Sequence, residues 1–134
     1  MLFGFDSDVA EFVGKNMERE FAPPFTAIGV LDQNGNLVGG MVFSDYTGSN
    51  IEITIYGPGL MSRKVVSQCF DYVFNQLKCS RLTARTRRSN RLMRKLLPRL
   101  GFDYEATIKH YFGTERGDDA LLFRLTPEYA SKWT

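Results

Sequence analysis

The spacing of apolar and polar positions changes several times along the chain, and each change marks an element. From Asp6 to Glu20 the apolar residues Val9, Phe12, Val13 and Met17 recur at helical spacing, with Asp6 or Ser7 available as a cap. Ala22-Pro23-Pro24 breaks that helix, because neither proline has a backbone N–H to donate. From Thr26 the period becomes that of a strand. TAIGVLD and LVGGMVFSDY flank Gln33-Asn34-Gly35-Asn36, and Asn-Gly between two β-prone runs predicts a hairpin. Asn50 to Tyr56 alternates strictly, with Ile51, Ile53 and Ile55 on one face and Glu52, Thr54 and Tyr56 on the other. Gly57-Pro58-Gly59 stops it.

Past that stop, Ser62 can cap a helix to about Lys78, carrying an apolar stripe of Val66, Cys69, Phe70, Val73, Phe74 and Leu77. Arg81 to Thr86 predicts another strand. Ser89 or Asn90 caps a further helix through Leu92, Leu96 and Leu100, with Pro98 in its last turn and Gly101 placed to end it. Tyr104 to Tyr111 and Ala120 to Leu125 predict a closing β-pair around Gly113–Asp119, followed by a short tail. The order is α-β-β-β-α-β-α-β-β, preceded by a short strand at residues 2–5. The strand–helix–strand run over 51–86 calls for a right-handed crossover and parallel pairing. The expectation is one α/β domain over residues 1–134, built on a mixed sheet.

Composition narrows the classes. The chain has 134 residues, 43% of them hydrophobic, with 11 Phe, 6 Tyr and 1 Trp, which suits one packed core and excludes a disordered polymer. No apolar run approaches the ~18 residues of a membrane-spanning helix. The N-terminus lacks the basic region and long apolar run of a secretory signal. Two cysteines, Cys69 and Cys79, and the single His110 cannot furnish a tetrahedral zinc site, so no metal is expected. Reduced thiols and a cytoplasmic setting are the expectation.

Charge adds more. Residues 63–99 hold 11 Lys/Arg against the single acid Asp71, a local charge of +10, leaving −8 for the remainder of a chain whose net charge is +2. A block this basic points to an anionic ligand, whether nucleic acid, a membrane surface or a phosphorylated cofactor. Nucleic acid as sole partner is disfavoured by the lack of a helix-turn-helix or an aromatic ribonucleoprotein motif. The junction from Tyr56 to Lys64 is the sharpest local signal: a strand ends, a Gly-Pro-Gly turn follows, and a helix opens with Ser62-Arg63-Lys64, where free amides and the helix dipole favour a phosphate. Neither Walker nor GxGxxG spacing is present.

A strand of the type RLTARTRRSN, then a helix-opening Asn90 followed eleven residues later by Gly101-Phe102, resembles the C-terminal half of GCN5-related N-acetyltransferases (GNATs). IEITIYG is similar to that family's fourth strand and VVSQCFDYVFNQL to its central helix. FDYEATIKHYFGTERGDDALLFRLT resembles the last hairpin of the branch acting on protein N-termini and ribosomal proteins, small prophage-type members in particular. The likeness spans roughly residues 25–126 and implies the acyl-CoA N-acyltransferase fold, with acetyl-CoA as cofactor and a primary amine of a protein or peptide as acceptor.

The same resemblance implies site residues. Backbone groups of Ile53, Thr54 and Ile55 would pair with the pantetheine arm, and Met61, Ser62, Arg63, Lys64 and Val65 would meet the pyrophosphate. Asn90 and Arg94 would lie beside the cofactor. Glu52 is the candidate base, Tyr56 a rim group that orients the acceptor, and His110 or Tyr111 a border of the acceptor cleft. Two departures stand out. The family's pyrophosphate loop carries glycines where this chain has Ser62 and Lys64, and a lead Gln or Arg where it has Met61. The usual acids, Tyr or Ser, are replaced by Leu97 and Met93. The rival expectation is a GNAT-fold binding module without catalysis, using the basic patch on an acidic or nucleic-acid partner. Monomer and homodimer stay open.

Overall fold

A computed structural model describes residues 2–17, 19–57 and 62–133. A first helix, α1 (Asp6–Met17), precedes three strands, β1 (Phe25–Leu31), β2 (Leu37–Ser44) and β3 (Asn50–Tyr56). Helix α2 (Arg63–Asp71) and a π-helical turn over Tyr72–Gln76 lead to β4 (Arg81–Arg87) and then α3 (Arg91–Leu100). Strands β5 (Asp103–Ile108) and β6 (Ala120–Leu125) follow, and a short α4 (Pro127–Ala130) runs into a 3-10 turn at Ser131–Trp133. The strands form one mixed sheet in the order β1-β2-β3-β4-β6-β5. β3 and β4 run parallel; the other neighbours are antiparallel.

The alternation read from the sequence decides what each sheet face meets. Ile51, Ile53, Ile55, Leu82 and Ala84 turn to the main core, where Val66 and Phe70 of α2 and Leu97 and Leu100 of α3 cover them. The tail closes this core: Trp133 donates its indole N–H to the Leu100 carbonyl at 2.9 Å and meets the Phe70 ring edge-on. On the opposite face α1 lays Val9 and Val13 over Ala27 and Val42. That seat needs small residues beneath it. A Cβ on Gly40 would stand 2.8 Å from Val9 and 2.9 Å from Val13, well inside contact distance. Helix α1 packs over β1, β2 and β3.

Several boundaries differ from expectation. The segment before α1 makes only an isolated bridge, Leu2 with Gly29, rather than a strand. Helix α1 ends at Met17 and the Arg19 N–H bonds back to the Gly14 carbonyl. The helix expected to reach Lys78 widens at Tyr72 and ends with Lys78 in a left-handed conformation, φ 58°. Strand β5 stops at Ile108 rather than Tyr111, because Lys109–Phe112 turn, with His110 at φ 58°. Helix α3 closes as expected on left-handed Gly101, whose N–H and that of Phe102 take over the carbonyls of Pro98 and Leu97. Cys69 and Cys79 are buried free thiols, and burial pushes the Cys69 thiol up to about 12.

Candidate active site

The site begins where two strands part. β3 and β4 pair over Asn50↔Arg81, Ile51↔Leu82, Glu52↔Thr83 and Ile53↔Ala84, and there the shared ladder ends. β3 continues for three residues paired only with β2, through Tyr56↔Gly40. β4 continues for three residues paired only with β6, through Arg87↔Ala120. Between them the edges of Thr54–Tyr56 and Arg85–Arg87 face each other without a common ladder. Backbone donors and acceptors left this way inside a sheet need a partner. One side chain repeats the message: the Thr86 hydroxyl is buried and has no hydrogen-bond partner.

The mouth of this cleft on the α1 side is a cavity of about 140 Å³, lined by Met17, Arg19, Thr54, Arg85, Thr86, Arg87, Tyr111 and Phe112. Beneath it lies Glu52, 4% exposed, between two guanidinium groups. Its Oε1 is 3.3 Å from Arg19 Nη1 and its Oε2 is 3.5 Å from Arg85 Nη2. Arg19 Nη1 also donates to the Thr54 hydroxyl at 2.9 Å. Arg85 donates to the Tyr111 hydroxyl and stacks over that ring at 4.7 Å, leaving its Nε buried without a partner. Arg87 stacks over Phe112 at 4.7 Å and reaches Asp118 at 3.7 Å.

Local features bring these groups together. Arg19 can turn back onto the sheet because Gly14 has no side chain: a Cβ there would lie 2.2 Å from the Arg19 carbonyl oxygen. Arg85 and Arg87 share a strand face with Arg81, and β4 carries them up beside β3. Tyr111 arrives through the turn after β5, which is pinned where the His110 N–H donates to Asp119 at 2.9 Å. That bond first, and then the Arg88 guanidinium at 3.5 Å, hold the Asp119 carboxyl below its ordinary range.

The residues singled out in the sequence fall into three groups. Glu52, Thr54 and Tyr111 meet at the cleft, with Ile53 and Ile55 on its β3 edge but facing the main core. Tyr56 packs edge-on against Phe12 at 5.8 Å, at the rim beside α1. A second group serves helix ends. The Ser62 hydroxyl accepts from the Val65 N–H at 3.2 Å, and the Asn90 side chain accepts from the Met93 N–H at 3.2 Å. Arg94 donates to the Arg88 carbonyl at 3.1 Å, while Arg63 donates to the Lys132 carbonyl at 2.9 Å and lies over Trp133. Lys64 is exposed and Val65 half-buried at the start of α2. His110 is exposed, and its part in the site is the backbone bond to Asp119. Met61 lies outside the described residues.

Arg19, Arg85, Thr86, Arg87 and Phe112 are cleft residues that the sequence did not single out as a site. A signal existed for the arginines of β4, which alternate onto the Glu52 face. None existed for Arg19, which follows the end of a helix. Among the described residues no group of three or more His, Cys, Asp or Glu could hold a metal. Nor is any helix among them long and apolar enough to cross a membrane.

No protein-family model and no curated protein matches the sequence. Solved structures match the fold. A spermidine/spermine N-acetyltransferase, SpeG from Vibrio cholerae, in complex with manganese ions, superimposes with a TM-score of 0.64 at 18% identity, over 95% of this chain and 76% of that one. A GCN5-related N-acetyltransferase from Brucella melitensis gives 0.63 at 23% identity, over 81% of this chain and 55% of that one. A structure described as a probable acetyltransferase gives 0.66 at 17% identity, over 78% and 62%. The chain therefore has the fold of the GCN5-related N-acetyltransferases.

Proposed function

We propose that this chain is an acetyl-CoA-dependent N-acetyltransferase acting on a primary amine of a protein or peptide. The parting of β3 and β4 after Ile53 and Ala84 carries the reading, because it opens an extended slot bordered by backbone edges in the middle of the sheet. The slot suits the amide-bearing arm of coenzyme A, and the orphaned Thr86 hydroxyl supplies a buried polar atom in need of a partner there. The fold likeness to N-acetyltransferases supports the same reading. When bound, acetyl-CoA supplies an acetyl thioester, whose C–S bond is exchanged for the new amide C–N bond.

The chain's own groups then divide the work. The backbone of Ile53, Thr54 and Ile55 pairs with the donor's arm and orients its carbonyl. The first turn of α2, from Ser62 through Arg63, Lys64 and Val65, faces the pyrophosphate with helix N–H groups and positive charge, and Met61 belongs to the same segment. Asn90 shapes the start of α3 by capping it, and Arg94 adds charge there. Glu52 takes the proton of the acceptor ammonium, directly or through a water, and Tyr56 guides the acceptor from the rim. Leu97 and Met93, which the resemblance sets in place of the usual acid, are both buried in the core. Neither side chain can donate a proton, so the protonation of a departing thiolate would fall to the reacting amine or to water rather than to these two residues.

Incubation with labelled acetyl-CoA and a peptide panel tests this reading. Acetyl-CoA should raise the melting temperature, and label should appear on amines. Glu52→Gln should lower the rate of transfer; wild-type rates at every pH would exclude Glu52 as the base. No binding of acetyl-CoA would overturn the proposal. Binding without turnover on any amine would favour a GNAT-fold binding module.

A further inference from the structure

We propose that the acceptor amine is carried beside a carboxylate, as in an acidic amino acid or a peptide whose first residue is acidic. The inference rests on the acetyl-transfer reading and names the substrate class of that site. It is carried by the cleft wall, where Arg19, Arg85 and Arg87 line a cavity of about 140 Å³ and no carboxylate lines it among the described residues. The acids that balance these charges stand elsewhere. Glu52 lies beneath the cavity, Asp45 is 65% exposed at the far side of Arg19, and Asp118 stands behind Arg87. Among the described residues, the charged groups that line the mouth are guanidinium groups.

Arg85 has a donor to spare. A guanidinium offers five N–H donors in a planar fork that matches a carboxylate. Arg85 uses Nη1 on Tyr111 and Nη2 on Glu52, and its buried Nε has no partner. Ring contacts hold all three arginines in place: Arg19 over Phe21 at 4.6 Å, Arg85 over Tyr111 and Arg87 over Phe112 at 4.7 Å. Ordering these long side chains beforehand lowers the entropy cost of binding. The arrangement suits a zwitterion, whose ammonium approaches Glu52 while its carboxylate meets Arg85 or Arg87. It does not suit a polyamine, which would bring several positive charges to one buried carboxylate.

Three five-carbon probes separate the charge classes without any reaction. In calorimetry glutarate should bind at least about tenfold tighter than the neutral glutaramide, as charge-assisted hydrogen bonds exceed neutral ones. Cadaverine should not bind. Arg85→Gln and, independently, Arg87→Gln should each reduce the preference for glutarate while the variants keep the wild-type circular dichroism spectrum and a cooperative melt. In the transfer assay, a tripeptide that begins with aspartate should outpace those that begin with asparagine or lysine, and the gap should shrink as salt rises. Free aspartate run alongside identifies whether the amino acid or the peptide N-terminus is the better source of that chemistry. Cadaverine binding tighter than glutarate, or lysine-first peptides reacting fastest, would overturn the inference. Glutarate binding with no acceptor acetylated would support the anionic site and overturn the transfer reading instead.

Discussion

The lower and upper halves of the β3–β4 pair share one alternation of residues and have opposite roles. Over Asn50–Ile53 and Arg81–Ala84 the strands hydrogen-bond to each other and their apolar side chains build the main core. Over Thr54–Tyr56 and Arg85–Arg87 each strand keeps only its outer neighbour. Nothing in the strands' own residues forces the break; Thr54 and Ile55 are as β-prone as Ile51 and Ile53. The pull comes from outside, where β2 holds β3 through Tyr56 and β6 holds β4 through Arg87. A binding cleft is thus made from ordinary strand sequence by the company each strand keeps. The lower half should answer for stability and the upper half for ligand binding.

The largest effect that would test this division is in the paired half. Leu82 is fully buried between the sheet and its helices. Leu82→Ala removes that packing and leaves a cavity, which costs about 2–5 kcal/mol in comparable cores. Denaturant unfolding should show a loss in that range, with acetyl-CoA still raising the melting temperature of the folded fraction. A loss under about 1 kcal/mol would mean that the paired half is not the structural anchor.

Two threonines three residues apart on β4 sharpen the contrast. The Thr83 hydroxyl is 2.6 Å from the Asn50 side-chain oxygen and ties the paired strands together. The Thr86 hydroxyl, in the parted half, has no partner. Thr83→Val should cost about 1 kcal/mol and leave acetyl-CoA affinity unchanged. Thr86→Val should be neutral or stabilising without ligand, since a buried hydroxyl left unpaired carries a penalty of about 1–3 kcal/mol. The same change should weaken acetyl-CoA binding. Calorimetry on the two variants decides it: equal affinities would remove Thr86 from the cleft's binding role.

Legibility in the sequence follows the same line. The alternation of Asn50–Tyr56 and of Arg81 onward predicted both strands, and the Gly101 stop and the hairpin at Asn34-Gly35 were readable because local chemistry decides them. The closing strand Ala120–Leu125 emerged with its predicted limits. What could not be read is set by distant partners. The point where β3 and β4 separate depends on β2 and β6, not on any residue at Thr54 or Arg85. Arg19 reaches Glu52 across 33 positions of sequence because Gly14 lets the chain fold back. Ser62 and Asn90 are legible as helix caps, and their side chains cap α2 and α3. The pattern predicts Tyr111 on a strand, and it reaches the cleft instead from a turn.

The smallest expected effect concerns the contact that keeps β4 with β6 beside the cleft. The Arg88 N–H donates to the Asp119 carbonyl at 2.8 Å, and the Asp119 side chain accepts the His110 N–H and faces the Arg88 guanidinium. These contacts favour the ionised carboxylate and hold it below its ordinary value of 3.8. A carboxyl depressed in the folded state contributes stability that is present above the unfolded value and is lost as pH falls through the folded one. Melting temperature measured from pH 7 downward should therefore fall more steeply below about pH 4 in the wild type than in Asp119→Asn. The asparagine can still accept the His110 N–H but cannot titrate. Asp32, Asp71 and Glu105, which are also depressed, contribute equally to both proteins, so the difference isolates Asp119. At neutral pH the variant loses the ion pair with Arg88, and the upper end of β4 is held less firmly to β6. Acetyl-CoA affinity should then drop modestly if that hold keeps the slot open. Parallel melting profiles, or unchanged affinity, would show that the backbone ladder through Arg87 and Ala120 is sufficient to keep the two strands apart.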